Sequence, residues 1–156
     1  MSQGELVTLL GAMYRDKRAL WQRHVAGAEH VAAYEVNNTY QYVIERESTH
    51  VAWLRAALEE VGGEPSNPRP MTVPEVEHAV IEDDARTARA YVDRWRGPVE
   101  ALSRGRHRTM LEVILGETLE HKRFFDQASA GRTDLLGRRP ADAGTGGGVL
   151  PHRWVE

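Results

Sequence analysis

The chain has 156 residues, enough for one domain with a substantial core and too few for two ordinary ones. Hydrophobic residues make up 41% and charged residues 28%, and the net charge of −3 gives no basis for nucleic acid or an anionic membrane as partner. Cysteine is absent, which excludes disulfides, thiol catalysis, Cys-ligated zinc and an iron–sulfur or rubredoxin-type centre carried on this chain. No apolar run reaches the roughly 18 residues of a spanning helix, and the polar start MSQGE does not read as a signal peptide, so a cytoplasmic location is expected.

Ala, Leu, Glu and Arg dominate residues 5–130, and no window alternates as a strand does, so the expected fold class is all-α. The first helical segment runs from about Glu5 to Gly62. Unbroken, it would be about 90 Å long at 1.5 Å per residue, so a turn is expected between residues 26 and 38, at Gly27 or at Asn37-Asn38. GGEPSNPRPM (62–71) ends the second helix and supplies a connection long enough to run along a bundle. Thr72 and Glu75 then have the spacing of a capping box, with Pro74 in the first turn of a third helix. That helix turns Val76, Val80, Thr87, Tyr91 and Trp95 inward and stops near Gly97-Pro98. A fourth, from about Arg106 to Ala130, faces inward with Met110, Ile114, Phe124 and Ala128 and ends at Gly131. The expected architecture is a four-helix bundle over residues 1–131 with one long crossover between helices 2 and 3. Residues 132–156 read as an irregular Gly- and Pro-rich tail, of which Val149–Trp154 is apolar enough to dock.

Chemistry enters on the inward faces. In helix 2, Val43, Ile44, Val51, Leu54, Leu58 and Val61 form an apolar stripe, and Glu47 and His50 lie on it one turn apart. A carboxylate in a core needs a partner, because leaving it unpaired costs several kcal/mol. Helix 4 places Glu117 and His121 between Ile114 and Phe124/Phe125, with Glu120 at the edge of the stripe. Helix 3 puts Asp84 between Val80 and Tyr91, and helix 1 lines up Leu9, Met13, Asp16 and Leu20. Asp84 and Glu117 are equidistant from the break near residue 100, and Asp16 and Glu47 from a turn near residue 31, so antiparallel packing brings each pair to one level. Glu29, His24 or His30 takes the place of Asp16 if the first turn lies near Asn37. Without a metal, Glu47 and His50 would form a buried hydrogen-bonded pair, joined by an Arg of a neighbouring helix.

Glu47-Ser-Thr-His50 followed by LRAALEEVGGEP, and the block GETLEHKRFFDQ, resemble the ferritin-like superfamily of rubrerythrins, bacterioferritins and di-iron oxygenases. The resemblance implies two iron or manganese ions on carboxylates and histidines, with Glu-x-x-His from each of two helices and Glu from the others. Carried over, Glu47 and Glu117 bridge, His50 and His121 or Glu120 bind one ion each, and Asp16 and Asp84 are terminal ligands. The implied activity is that of a di-iron oxidoreductase, oxidising Fe(II) or reducing peroxide or dioxygen. An external electron donor would stand in for the missing relay, and the implied assembly is a homo-oligomer, a dimer in the simplest case. Helix 4 departs from the pattern, since Thr118 stands where the Glu of Glu-x-x-His belongs, and in helix 1 Asp16 is flanked by Arg15, Lys17 and Arg18. Two other classes are therefore open: a DinB-like bundle with one divalent metal on three His, and a non-catalytic bundle that has lost the site and acts as an oligomeric or interaction module. Spacing does not choose between Glu120 and His121, both within about 60° of Glu117 around the helix; alignment with the apolar stripe favours His121.

Overall fold

The start of the first helix is fixed by Ser2, whose hydroxyl accepts the Glu5 N–H while the Glu5 carboxylate accepts the Ser2 N–H. In the computed structural model, which describes residues 2–69, 72–132 and 135, this helix is α1 (Gln3–Ala28), followed by α2 (Tyr34–Glu60), α3 (Glu77–Glu100) and α4 (Arg106–Ser129). The described residues contain no strand. α2 and α4 both end in a glycine with positive φ, Gly62 at 88° and Gly131 at 91°. In each, the next two N–H groups return to the last turn: Gly62 and Gly63 to the carbonyls of Glu59 and Leu58, Gly131 and Arg132 to those of Ala128 and Gln127. These are Schellman closures, which satisfy helix-end carbonyls that have no partner within the helix.

The turn between α1 and α2 occupies residues 29–33, inside the expected window, and Asn37 lies within α2 rather than at a break. Its side-chain amide donates to the Ala28 and Val31 carbonyls and so closes the end of α1. The start of α3 departs from expectation. Thr72 and Glu75 make no capping box; the helix begins at Glu77 after an extended Val76, which is exposed rather than inward. A helix containing Pro74 in its first turn would need Val73 in the α region, which the proline ring disfavours. Glu77 instead accepts the Ala32 and Ala33 N–H groups, tying α3 to the first turn of chain reversal. α3 also runs past Gly97-Pro98 to Glu100, held by buried Val99 and, just beyond the helix, buried Leu102.

α1 packs on α2 and on α3, and α4 packs on α3 and on α2, with α2 and α4 the least closely packed pair. Contacts from Tyr91 to Met13, Trp95 to Asp16, and Arg23 to Asp83 and Asp84 show that α3 runs antiparallel to α1. The end of α2 and the start of α3 therefore lie at opposite ends of the bundle, and the fold is an all-α four-helix bundle with one long crossover between them. One apolar cluster, with Leu10, Met13, Leu54, Leu58, Trp95 and Leu111, fills the end near that crossover's start. A second, with Val36, Tyr40, Val43, Val80, Ile81 and Phe125, fills the opposite end. The tail expected over 132–156 lies outside the described residues apart from Arg132 and a buried Leu135, so the docking of Val149–Trp154 falls there too. No helix among the described residues is long and apolar enough to cross a membrane.

Gly27 lets α1 approach α3 closely: a Cβ there would stand 2.9 Å from Val80 Cγ1 and 3.0 Å from Asp84 Oδ2. Gly11, by contrast, would meet only Leu58 Cδ1 at 3.9 Å. Gly27→Ala should lower stability by about 1 kcal/mol or more, overpacking against a stiff β-branched side chain outweighing the gain in helix propensity. Gly11→Ala should raise stability by about 0.5–1 kcal/mol. Urea midpoints of the two variants measure both, and equal effects would show that the α1–α3 approach tolerates a methyl group.

Candidate functional site

On α2 the two apolar clusters meet between Val43 and Leu54, and on α4 between Leu115 and Phe125. Those gaps hold Glu47, His50, Glu117, Thr118 and His121, to which α1 adds Lys17 and His24 and α3 adds Asp84. All eight side chains are at most 2% exposed. This polar layer crosses the bundle about halfway along, where every helix faces the core.

Glu47 is met on both oxygens from α1. His24 Nδ1 bonds one carboxylate oxygen, and Lys17 Nζ stands 3.0 Å from the other. Lys17 also donates to Thr118 Oγ1 at 2.7 Å, while the Thr118 hydroxyl donates to the Ile114 carbonyl at 2.7 Å. Burial alone would raise the Glu47 carboxyl, but His24 and Lys17 outweigh it and hold the group well below the usual carboxylate range. His24 moves the other way: burial would lower it, and Glu47 and then Asp84 push it up. Lys17 is lowered by burial against the pull of Glu47.

A second carboxylate, Glu117, is gripped from α2. Arg46 Nε and NH2 meet its two oxygens at 2.8 and 3.1 Å, and His50 Nε2 lies 3.0 Å from Oε1. Burial opposes ionisation of Glu117, yet these hydrogen bonds lower its pKa. His50 is pushed down to about 4 by burial and by Lys17, so at neutral pH it is an imidazole that donates Nε2–H to Glu117. Its Nδ1 then has a lone pair and no partner. Asp84 accepts from the Tyr40 hydroxyl and faces Arg23 Nε at 3.4 Å and His24 Nε2 at 3.7 Å. Burial nevertheless raises it to about 6.

His121 has the most open chemistry. It is 1% exposed, its ring centre is 6.1 Å from that of His50, and neither ring nitrogen has a hydrogen-bond partner. Burial drives its pKa well below the usual value, with Glu47, Lys17, His50 and His24 all acting on it electrostatically. Glu120, its competitor on helix 4, is also buried, at 8% exposure.

Of the seven residues singled out in the sequence, five come together in this layer: Glu47, His50, Asp84, Glu117 and His121. Asp16 does not join them. It is 24% exposed and bound to Arg94 NH1 at 2.7 Å and Trp95 Nε1 at 3.0 Å. Lys17 was missed as a member, and His24, one of the alternatives to Asp16, joins although the first turn lies at residues 29–33; Leu10, Met13, Lys17, Leu20 and His24 recur at steps of three and four, and all five are buried. Counting from Leu9 instead of Leu10 turned the stripe by one residue and brought Asp16 inward in place of Lys17.

The arrangement does not suit two metal ions. Each acid of the layer already has a cation of the chain beside it: Lys17 at Glu47, Arg46 at Glu117, Arg23 at Asp84. Among the described residues, no three His, Asp or Glu side chains stand grouped so as to hold a metal ion. The unpartnered nitrogens of His24, His50 and His121 are the features that invite an occupant, since buried polar atoms without partners are otherwise rare.

The position of Asp84 predicts a pH signature. Its folded pKa is raised, so the stability contributed by the neutral acid is complete below about pH 4 and is lost as pH rises through about 6. The advantage of Asp84→Asn over the parent should therefore grow between pH 4 and 6.5, by an amount on the order of 2–3 kcal/mol for a shift of this size. The difference reads Asp84 together with His24, whose pKa Asp84 helps to raise. Urea melts in chelator across that range test it, and a difference that stays flat would show that Asp84 titrates at its ordinary value. The chain matches no protein-family model, and no curated protein or solved structure matches it either.

Proposed function

We propose that the protein is a ferritin-like bundle whose polar layer binds a single divalent transition-metal ion through His50, His121 and Glu117, rather than a carboxylate-bridged pair. The observation that carries this reading is His121: a fully enclosed imidazole with both nitrogens unpartnered, lying against a second imidazole that also has a free nitrogen. Two imidazoles on one ion, each bonded at about 2.1 Å, have ring centres roughly 5–6.5 Å apart, and the 6.1 Å found here lies within that interval. Their lowered pKa values keep both rings neutral at pH 7, the protonation state a metal ligand needs. Imidazole and carboxylate donors suit iron, manganese or zinc, and a redox-active ion bound there would supply electrons to dioxygen or peroxide.

The chain's own residues would do the rest. Tyr42 and Phe124 pack edge and face against His121 and keep water from it. The Trp53 ring is tilted against His50, 5.8 Å between centres, and also lines an open groove of about 580 Å³ with Ala56, Ala57, Met110 and Val113. That groove follows the loosely packed α2–α4 seam, and Trp53 stands between it and His50. A second reading, a metal-free bundle acting through its surface, is favoured by one observation: the three acids of the layer are already charge-compensated from within.

Metal analysis of purified protein distinguishes the two. The parent should retain about one iron, manganese or zinc per chain, and His121→Ala should lower affinity by at least about tenfold. Glu120→Ala should do less. Glu45→Ala, on the exposed face of α2, and Asp16→Asn, held by Arg94 and Trp95, should leave the content unchanged. A parent that takes up no metal, or a His121→Ala variant that binds as the parent does, would sink the reading.

A further inference from the structure

The groove on the α2–α4 seam, about 580 Å³, falls within the roughly 300–1,000 Å³ of small-molecule sites. Trp53 stands on its wall at 36% exposure, its ring braced by His50 at 5.8 Å and by the Arg46 guanidinium at 5.7 Å. A flat aromatic face held in this way loses little freedom when a second ring stacks on it. Ala56 and Ala57 of α2 are too small to fill the space beside it, and Met110 of α4 is flexible enough to fit an occupant.

Charge sits where the two helices end and begin. Glu60, the last residue of α2, and Arg106, the first of α4, join across the seam: NH1 donates to Oε2 at 3.2 Å, and NH2 meets Oε1. The two partners differ in what they have left to offer. Both oxygens of Glu60 are taken, whereas the fork uses two of the five N–H donors of Arg106. Arg106 is 71% and Glu60 48% exposed, so water screens the pair and it is readily exchanged. His107, next along the lining, is lowered by burial and by Arg106 and is neutral at pH 7, which leaves Arg106 as the cation there.

We propose that this groove binds a small aromatic carboxylic acid, its ring stacked on Trp53 and its carboxylate on the Arg106 fork in place of Glu60. Charge complementarity selects the acid. An amine would have to draw Glu60 from a guanidinium that holds both its oxygens, whereas a carboxylate finds spare donors in a bidentate geometry. Trp53 separates the groove from His50, so the proposal is independent of the metal reading and is tested in chelator.

The experiment titrates phenylpropionate into the full chain at pH 7 and follows the tryptophan indole N–H resonances by NMR. The Trp53 signal, identified by its absence from Trp53→Phe, should shift with a Kd of about 0.1–1 mM. Phenylpropionamide, the neutral isostere, should bind about tenfold more weakly, and Arg106→Gln should bring the acid down to the amide. Glu60→Gln, which frees the fork, should strengthen the acid about threefold. Ala56→Glu, at an exposed helical position where folding is not at stake, should weaken it at least about tenfold. No shift up to about 10 mM, equal affinity for acid and amide, or parent-like binding by Ala56→Glu overturns the proposal. So does a result that gives the groove to another occupant: a parent dimer that Ala56→Glu dissociates, or binding of the acid only once Leu150→Asp/Trp154→Asp has removed competition from residues 149–154.

Discussion

A carboxylate at 0% exposure in the centre of a four-helix core is the constraint around which this bundle is organised. Glu47 cannot be left alone there, because an uncompensated buried charge costs more than most single interactions contribute. The chain answers with two groups from α1, Lys17 and His24, placed two turns apart so that each meets a different oxygen of the same carboxylate. That requirement fixes the register of α1 against α2. Through the Lys17 bond to Thr118 it also ties α1 to α4, the helix diagonally across the bundle with which it has no direct backbone packing.

The rest of the layer repeats the same logic at lower stakes. Glu117 takes a bidentate arginine and an imidazole from α2, so the loosest helix pair in the bundle is joined by charge-assisted hydrogen bonds where its apolar packing is thin. Asp84 takes a tyrosine hydroxyl and the edge of a guanidinium, and is the least well compensated of the three, which is why burial prevails in its titration. Replacing such a layer with well-packed apolar residues is often neutral or stabilising, so stability alone is a weak reason for keeping it. Three imidazoles of the layer, His24, His50 and His121, each keep a nitrogen with no hydrogen-bond partner among the protein's own groups.

The connection geometry shows how firmly local chemistry governs some parts of the chain and how little it governs others. Gly62 and Gly131 stop their helices because a left-handed residue is needed there and glycine adopts it without strain. The Thr72–Glu75 spacing had equally good local credentials and yet forms no cap. Pro74 disfavours helical backbone at Val73, and the Thr72 carbonyl accepts from Arg23 of α1. Pro98 shows the converse, a helix breaker carried inside the last turn of α3 because Val99 and Leu102 are buried on either side of the helix end.

By itself the sequence determined the helices, the crossover and the membership of Glu47, His50, Asp84, Glu117 and His121 in one inward-facing set, because a buried stripe repeats every three or four residues and polar members stand out against it. It could not determine which residues of α1 complete the set. Asp16 and Lys17 are adjacent, about 100° apart around the helix, and a stripe counted from Leu9 or from Leu10 selects one or the other. Tertiary packing decided for Lys17 and His24, sending Asp16 outward to Arg94 and Trp95. The physical reason is charge. A layer that already buries Glu47, Asp84 and Glu117 is stabilised by a cation at its centre and destabilised by a fourth acid, and only the assembled bundle brings those charges close enough for the difference to count.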